Sequence, residues 1–377
     1  MSQSETSAKY SVLQLWKKLT FVSILICLTG CPTPPKPQAK LTPLAFSPSA
    51  PTPAPPQSIP VPAVQGGNAS LFSTDNTERH RANGPWIWLD SWTRDHQFGP
   101  LSESTNTTHQ TFALTGAPGS LSIVVGSRLA TWNKLILGLG FEPRLIHGRP
   151  AIHQLDLTKN LQPLLQPVLR LPSNRRVIVI DPGHGGKNTG ARSVVGSLLE
   201  KDLTLDWARR TQTLLAAQGW TVWLTRTEDK DVSSAERIAF TDSVQADLFL
   251  SLHFNSAGRT TAGPPDGGLE TYCLTPTGMP SNLTRNYEDD PKRVFPNNSF
   301  DDSNLLLAAS LHDSMVRFVG RKDRGIRRAR FMTVLQGQQR PAALLEGGFL
   351  TDTAEARLIA SNDYRQKLAQ SIAFALR

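Results

Sequence analysis

Cysteine is scarce in this chain. Only Cys27, Cys31 and Cys273 occur in 377 residues, too few for the disulfide framework of a small secreted scaffold. A membrane-spanning run is missing too. The apolar stretch Leu19 to Leu28 falls well short of the roughly 20 residues that a bilayer requires. The net charge is +9, yet no pattern of interleaved basic and aromatic residues accompanies it. That excludes a nucleic-acid module as the reason for the charge. A basic surface suited to an anionic envelope polymer or a lipid headgroup remains. The length allows two or three domains. With 39% hydrophobic and 19% charged residues, the chain reads as globular with some non-globular part.

The N-terminus carries an address. Lys17 and Lys18 precede the apolar run, and Leu28-Thr29-Gly30-Cys31 closes it. Basic residues ahead of a short apolar core make a signal peptide, expected over residues 1–30. The closing residues resemble the lipobox of bacterial lipoproteins, which implies cleavage before Cys31 and lipid on its thiol. Pro32 follows where Asp would mark the inner membrane, so the resemblance implies the outer membrane and the periplasmic face of the cell envelope. More than one acyl chain on Cys31 would give lasting attachment. Cleavage would remove Cys27 and lipid would occupy Cys31. Cys273 would then have no partner in its own chain, and in the strand-like run Leu269 to Leu274 it reads as a buried small hydrophobe. Residues 31–67 are dominated by Pro, with Ala, Ser, Thr and Gln, and end in Gly66-Gly67. Such a linker is extended, and at about 3.1 Å per residue it reaches on the order of 100 Å.

Residues 85–170 form a β-rich domain. Pro85-Trp86-Ile87-Trp88-Leu89 opens it, and short apolar runs follow at Thr111 to Leu114, Leu121 to Val125 and Leu135 to Leu139, separated by turn residues. The segment from Gly126-Ser127-Arg128-Leu129 to Gly148-Arg149 is similar to the copper-amine-oxidase N-terminal-like β module, which need not bind copper. His147 and His153 read as solvated strand residues rather than a metal pair.

Residues 175–377 alternate strand and helix. Strands are expected at Val177 to Asp181, Thr221 to Thr225, Asp247 to Leu252, Leu269 to Leu274, Phe331 to Leu335 and Ala342 to Leu345. Helices are expected from Asp202 to Gln218, after the capping box Ser233-Ser234-Ala235-Glu236, and from Ser303 to Val319. The pattern predicts an α/β fold, a mixed, largely parallel sheet sandwiched by helices and preceded by the β-rich domain. Ligands of open α/β sheets bind at the carboxyl ends of the strands. Those ends deliver His184 in Asp181-Pro182-Gly183-His184-Gly185-Gly186, His253 in Ser251-Leu252-His253-Phe254-Asn255, and Glu346 in Leu345-Glu346-Gly347-Gly348-Phe349. Glu200 stands at the mouth of the first helix. Two imidazoles and one carboxylate with an open position form a catalytic zinc ligand set, and a further carboxylate supplies a proton acceptor.

These motifs, with Glu200-Lys201-Asp202, stand in one order and resemble the zinc-dependent N-acetylmuramoyl-L-alanine amidases of the amidase-3 type. Thr225-Arg226, Glu236-Arg237, Ala246-Asp247-Leu248-Phe249 and Gly268-Leu269-Glu270-Thr271-Tyr272 resemble the connecting segments. The resemblance implies a zinc amidase, phosphorylase-hydrolase-like fold. It implies one Zn2+ per catalytic domain, held by His184, Glu200 and His253, with Glu346 as the catalytic glutamate. The implied substrate is peptidoglycan, cut between the lactyl group of N-acetylmuramic acid and L-Ala. Two other classes share these residues: a zinc peptidase or amidase on another substrate, and a non-catalytic wall-binding lipoprotein. A binder has no need of all four side chains.

The pattern departs from the family at Phe254, where a small residue is common, and at Gly347, where Val, Cys or a small residue is usual. Neither is a ligand, and both are expected to reshape the cleft. The insert from Pro276 to Asp302 carries both signs of charge and reads as a substrate-contacting loop rather than an autoinhibitory plug. No protein activator is identified by the sequence. Asp181, Asn255 and Arg324 are candidates to orient ligands or meet substrate. Arg321 to Arg330 reads as a solvated basic edge, with contact to peptide-stem carboxylates as the alternative.

Overall fold

The computed structural model describes residues 81–105, 109–165, 169, 171, 173–257 and 267–377. The signal peptide, Cys31 and the linker 31–67 lie outside the described residues. The described residues belong to one compact unit.

The first part is strand-rich. β1 (Arg81–Asn83), β2 (Trp86–Trp88), β8 (Arg144–Ile146) and β9 (Arg149–His153) make a four-stranded sheet in the order β1-β2-β9-β8. Between them runs an antiparallel meander of β3 (Ser102–Thr105), β4 (Gln110–Gly116), β5 (Gly119–Val124), β6 (Leu129–Trp132) and β7 (Leu135–Gly138). In β5, Leu121 and Ile123 are buried while Ser120 and Ser122 are less so, the period-two pattern of a sheet with one covered face. Asn133 and Lys134, both with positive φ, form the two-residue turn from β6 to β7, a backbone choice that matches strand twist.

The second part supplies β10 (Val177–Pro182), β11 (Thr221–Leu224), β12 (Leu248–Asn255), β13 (Leu269–Cys273), β14 (Asp323–Arg328) and β15 (Ala342–Phe349). Their order is β11-β10-β12-β15-β13-β14. The first four are mutually parallel, and β13 runs antiparallel to β15 and parallel to β14. All six residues of β10 and all eight of β15 are buried, as expected when helices cover both faces of a parallel sheet.

The two faces are covered unequally. Ile178, Ile180, Leu248, Leu250, Leu252, Ala343 and Leu345 point into the larger core, shared with helices Glu200–Ala216, Asp301–Val319 and Asn362–Ala375. The intervening Val177, Val179, Phe249, Ala342 and Leu344 point into a smaller core, roofed near helices Ser234–Ser243 and Thr333–Gln336. Because side chains alternate along a strand, Asp181, Ser251, His253 and Glu346 project to that thinner face. Its short helices leave room at the strands' carboxyl ends.

Two local expectations are corrected. Arg321 to Arg330 is not a solvated edge: it contains β14, an interior strand between β13 and β7. Arg328 is 1% exposed and donates to the carbonyls of Lys159 (2.7 Å), Leu274 (3.2 Å) and Asp301 (3.4 Å). A buried guanidinium is tolerable only when such acceptors meet it, and they come from distant parts of the chain. Phe331 to Leu335 is not a strand; Thr333–Gln336 is a short helix instead.

The β-rich part joins the same sheet. β7 lies beside β14 through Ile326 and Leu137, so the eleven strands are continuous. The Asp323 carboxylate accepts from Ile136 N at 2.7 Å, and Asn282 donates to the Leu139 carbonyl at 2.7 Å. Arg128 donates to the carbonyls of Pro280 and Ser281 at 3.1 and 3.0 Å. The Pro276 to Asp302 insert is thereby fastened to the β-rich part. Cys273 is fully buried, as expected.

Candidate metal centre

His184 stands on the turn that follows β10. Its φ of 64° is left-handed, a conformation that costs a non-glycine residue roughly 1–2 kcal/mol and persists where surroundings impose it. Here Gly185 and Asn188 exchange backbone hydrogen bonds at 2.9 and 3.1 Å. Asp229 accepts from Gly186 N at 2.7 Å, and Arg226 donates to the Pro182 and Gly183 carbonyls at 3.0 and 2.8 Å.

Glu200 is the first residue of its helix, where the helix dipole favours a carboxylate. Its Oε2 accepts from Ala191 N at 2.8 Å. Its Oε1 lies 3.0 Å from His184 Nε2 and 2.9 Å from His253 Nδ1. One ligand atom from each of the three residues lies within 4.8 Å of the others, the one such group found among the described residues. Burial opposes the charge on Glu200, but its bonds to the two imidazoles outweigh this and hold its carboxyl below the usual range. Burial likewise pulls His184 down, and the bond to Glu200, the Glu200 charge and Asn188 lift it above its ordinary value.

The donor set fits zinc. Ligand bonds of about 2.0–2.2 Å in a tetrahedron set donor atoms roughly 3.3 Å apart, close to the 3.0 and 2.9 Å that separate Glu200 Oε1 from the two imidazoles. His184 Nδ1, the nitrogen facing away, meets Asn188 Oδ1 at 2.9 Å. An outer partner of this kind fixes the tautomer of a metal-bound imidazole. Asn188 was missed in the sequence; its only signal was its place four residues past His184.

Glu346 is the register partner of His253 on the neighbouring strand, and Glu270 is its partner on the other side. The three form a row on the thin face. Glu346 is buried, and its Oε2 has no hydrogen-bond partner among the described residues. Burial pushes its carboxyl well above the ordinary range, Glu200 adds to this, and Arg285 offsets it in part. An unsatisfied buried carboxylate costs stability, which marks it as a group kept for chemistry. His184, Glu200, His253, Glu346, Asn255 and Arg285 all line one cavity of about 440 Å³.

The outer candidates divide. Asp181 does not touch the His184 ring. It accepts from Thr225, Ser251 and Arg237, and Arg237 donates to the His184 carbonyl at 2.8 Å. Asp181 therefore fixes the turn's backbone through Arg237. Asn255 is buried at the cavity wall, held by Glu270 at 2.7 Å. Arg324 is not among the residues lining the cavity; it pairs with Glu270 at 3.0 Å. Glu270 was not singled out in the sequence. Contrary to expectation, His147 lies on the turn between β8 and β9, in no strand, and His153 is buried rather than solvated. Outside the centre, His153 accepts from Leu155 N at 3.1 Å and stacks on Phe141, and burial, then the Arg144 charge, lowers it to about 4.

Phe254 and Gly347 turn out to be one packing exchange. The Phe254 ring packs on Trp207, with centroids 5.4 Å apart. A Cβ at position 347 would sit 2.9 Å from Phe254 Cε1 and 3.0 Å from Trp207. The large residue at 254 fills the space that the glycine leaves. It packs into the larger core and is also among the residues that line the cavity.

Gly183 has the tighter constraint. A Cβ there would lie 2.3 Å from His253 Cε1. Gly183→Ala is expected to push that imidazole out of place and lower catalytic turnover by on the order of 100-fold, the scale of an ångström-sized displacement. Turnover with metal content measured on the same sample checks this; an unchanged rate would show that the ring has room to move.

The Amidase_3 family, described as N-acetylmuramoyl-L-alanine amidase, matches residues 178–377. The chain is 32% identical over 255 residues to the N-acetylmuramoyl-L-alanine amidase LytC of Bacillus subtilis, covering 67% of this chain and 44% of the relative. It is 32% identical over 250 residues to the N-acetylmuramoyl-L-alanine amidase AmiC of Neisseria meningitidis, covering 61% and 58%. The chain thus spans about half the length of these curated relatives. A solved structure of the N-acetylmuramoyl-L-alanine amidase AmiC2 of Nostoc punctiforme is similar at 30% identity and a TM-score of 0.44, over 54% of this chain and 96% of that one.

Proposed function

This chain belongs to the Amidase_3 family of N-acetylmuramoyl-L-alanine amidases, and on that premise we propose that it hydrolyses the amide between N-acetylmuramic acid and L-Ala in peptidoglycan. The observation that carries the reading is the meeting of His184 Nε2, Glu200 Oε1 and His253 Nδ1 beside the buried, unpartnered Glu346. His184, Glu200 and His253 would hold a zinc ion. Bound there, zinc would acidify water and polarise the amide carbonyl.

The chain's own residues do the rest. Asn188 holds the His184 ring by its far nitrogen, so that Nε2 stays unprotonated and faces the centre. Phe254 N donates to Glu200 Oε1 at 3.1 Å and fixes its direction. Glu346 Oε2 faces no protein donor and is the atom free to take a proton from the attacking water. The same carboxyl returns that proton to the leaving nitrogen of L-Ala. Its raised affinity for a proton suits the acid half of this cycle. A cation at the three ligands would offset the rise and leave the carboxylate available as a base.

Digestion of purified peptidoglycan tests the reading. Stem peptides with free N-terminal L-Ala and glycan stripped of peptide are expected. Zinc-loaded protein that releases neither would sink it. Cleavage within the stem instead would favour a zinc peptidase.

A further inference from the structure

We infer that Arg285 recognises a free carboxylate on the peptide stem and so selects which stems are cut. The inference rests on the amidase reading and names a specificity residue within it. Arg285 reaches from the Pro276 to Asp302 insert into the cavity that His184 and His253 also line. Its Nη2 donates to Asn255 Oδ1 at 2.9 Å, and its guanidinium lies over the Phe331 ring at 5.3 Å. No carboxylate among the described residues lies within ion-pair distance of it. Its neighbours differ in this respect. Arg237 is paired with Asp181, Arg324 with Glu270 and Arg330 with Asp289. Of the arginines lining the cavity, Arg285 is the one whose fork is left for an incoming anion, and a fork of N–H donors matches a carboxylate.

The placement is held firmly. Arg285 and Asn286 both adopt left-handed backbone, at φ 46° and 64°, a strain that neighbouring anchors must impose. Asp289 supplies one anchor, accepting from Ser281 N, Ser281 Oγ and Arg330 at 2.7–2.8 Å. Asn282 supplies another, accepting from Arg328 N at 2.7 Å and donating to Leu139 O. Asn255, which orients the guanidinium, is fixed by Glu270, itself bonded by the Tyr272 hydroxyl at 2.7 Å.

The test uses two synthetic glycopeptides, N-acetylmuramic acid bearing L-Ala and then an acidic residue. They differ only in whether that residue carries a free carboxylate or a carboxamide. Full-chain zinc-loaded wild type is expected to cut the carboxylate form with at least about tenfold higher kcat/KM, the scale of one charge-assisted pair. Arg285→Gln should lose that preference by slowing the carboxylate form 10- to 100-fold more than the carboxamide form. Arg285→Lys should recover part of it, since the charge returns without the fork. An equal loss on both substrates would overturn the inference and assign Arg285 to tuning Glu346. So would a wild type without preference. A wild type that cuts neither would count against the amidase reading itself, and melting temperature with zinc content controls for folding.

Discussion

Glu346→Gln lowers release of L-Ala stem peptides by about 10²–10⁴-fold, the usual contribution of a positioned general base, while zinc uptake stays at the wild-type level. Glutamine has nearly the same shape, so the strand and its register with His253 are kept. What it lacks is a site that can hold and release a proton at Oε2. Stability moves the other way. Burial, and next the Glu200 charge, raise the Glu346 carboxyl above its unfolded value. A carboxyl raised on folding contributes stability at low pH and loses it as pH rises through the folded value. Near neutral pH the metal-free wild type therefore carries a cost that the amide removes, on the order of 1 kcal/mol or more. Turnover, zinc content and melting temperature on one preparation decide the matter. A Glu346→Gln enzyme with full activity would assign the proton transfer elsewhere. One that loses its metal would make Glu346 a ligand.

The second large effect concerns the ligands. His253→Ala and Glu200→Ala are each expected to abolish zinc uptake and activity together, because two remaining donors do not make a closed side of a tetrahedral site. Loss of Glu200 does further damage. Its Oε1 takes Phe254 N as well as both imidazoles, so its removal also frees both rings and the start of its own helix. Asn188→Ala is the graded companion. It leaves all three ligands and is expected to weaken zinc affinity roughly 10- to 100-fold, the range for outer partners of a ligating imidazole. Acid acts in the same direction. A protonated imidazole cannot ligate, so metal uptake falls as pH drops through the His184 value, which Glu200 and Asn188 hold above the ordinary 6.5 against the pull of burial. Competition with a zinc-binding dye measures all of these. Unchanged zinc affinity in Asn188→Ala would show that the 2.9 Å contact does not steer the ring.

Parts of this were legible before any fold was known. The β-branched run at Val177 predicted β10 to within a residue, and the Ser233 to Glu236 capping box is formed as read. The helix expected from Asp202 begins at Glu200. The difference matters, because it places the carboxylate at the helix terminus itself. β14 was not legible. Asp323-Arg324-Gly325-Ile326-Arg327-Arg328 has one aliphatic residue and looks solvated. It lies inside the sheet because its arginines are met by carbonyls and carboxylates from several other elements. Asn188, Glu270 and Arg285 went unremarked as site residues for a related cause. Glu270 and Arg285 act through partners on other strands, and Asn188 meets His184 only because the turn between them folds back.

The sequence alone determined most of the strands and helices, β14 and the Thr333–Gln336 helix excepted, and which glycine-flanked turns carry imidazole or carboxylate. Those properties are local: alternation, helical spacing, caps and turns are set by residues a few positions apart. The tertiary structure alone decided that Asp181, His253 and Glu346 share the thinly covered face. It also decided that the β-rich strands extend the catalytic sheet, that Phe254 occupies the room left by Gly347, and that Arg285 reaches the cavity. Each of these depends on strand order and on contacts between residues far apart in the chain, and such contacts exist only once the sheet has closed around them.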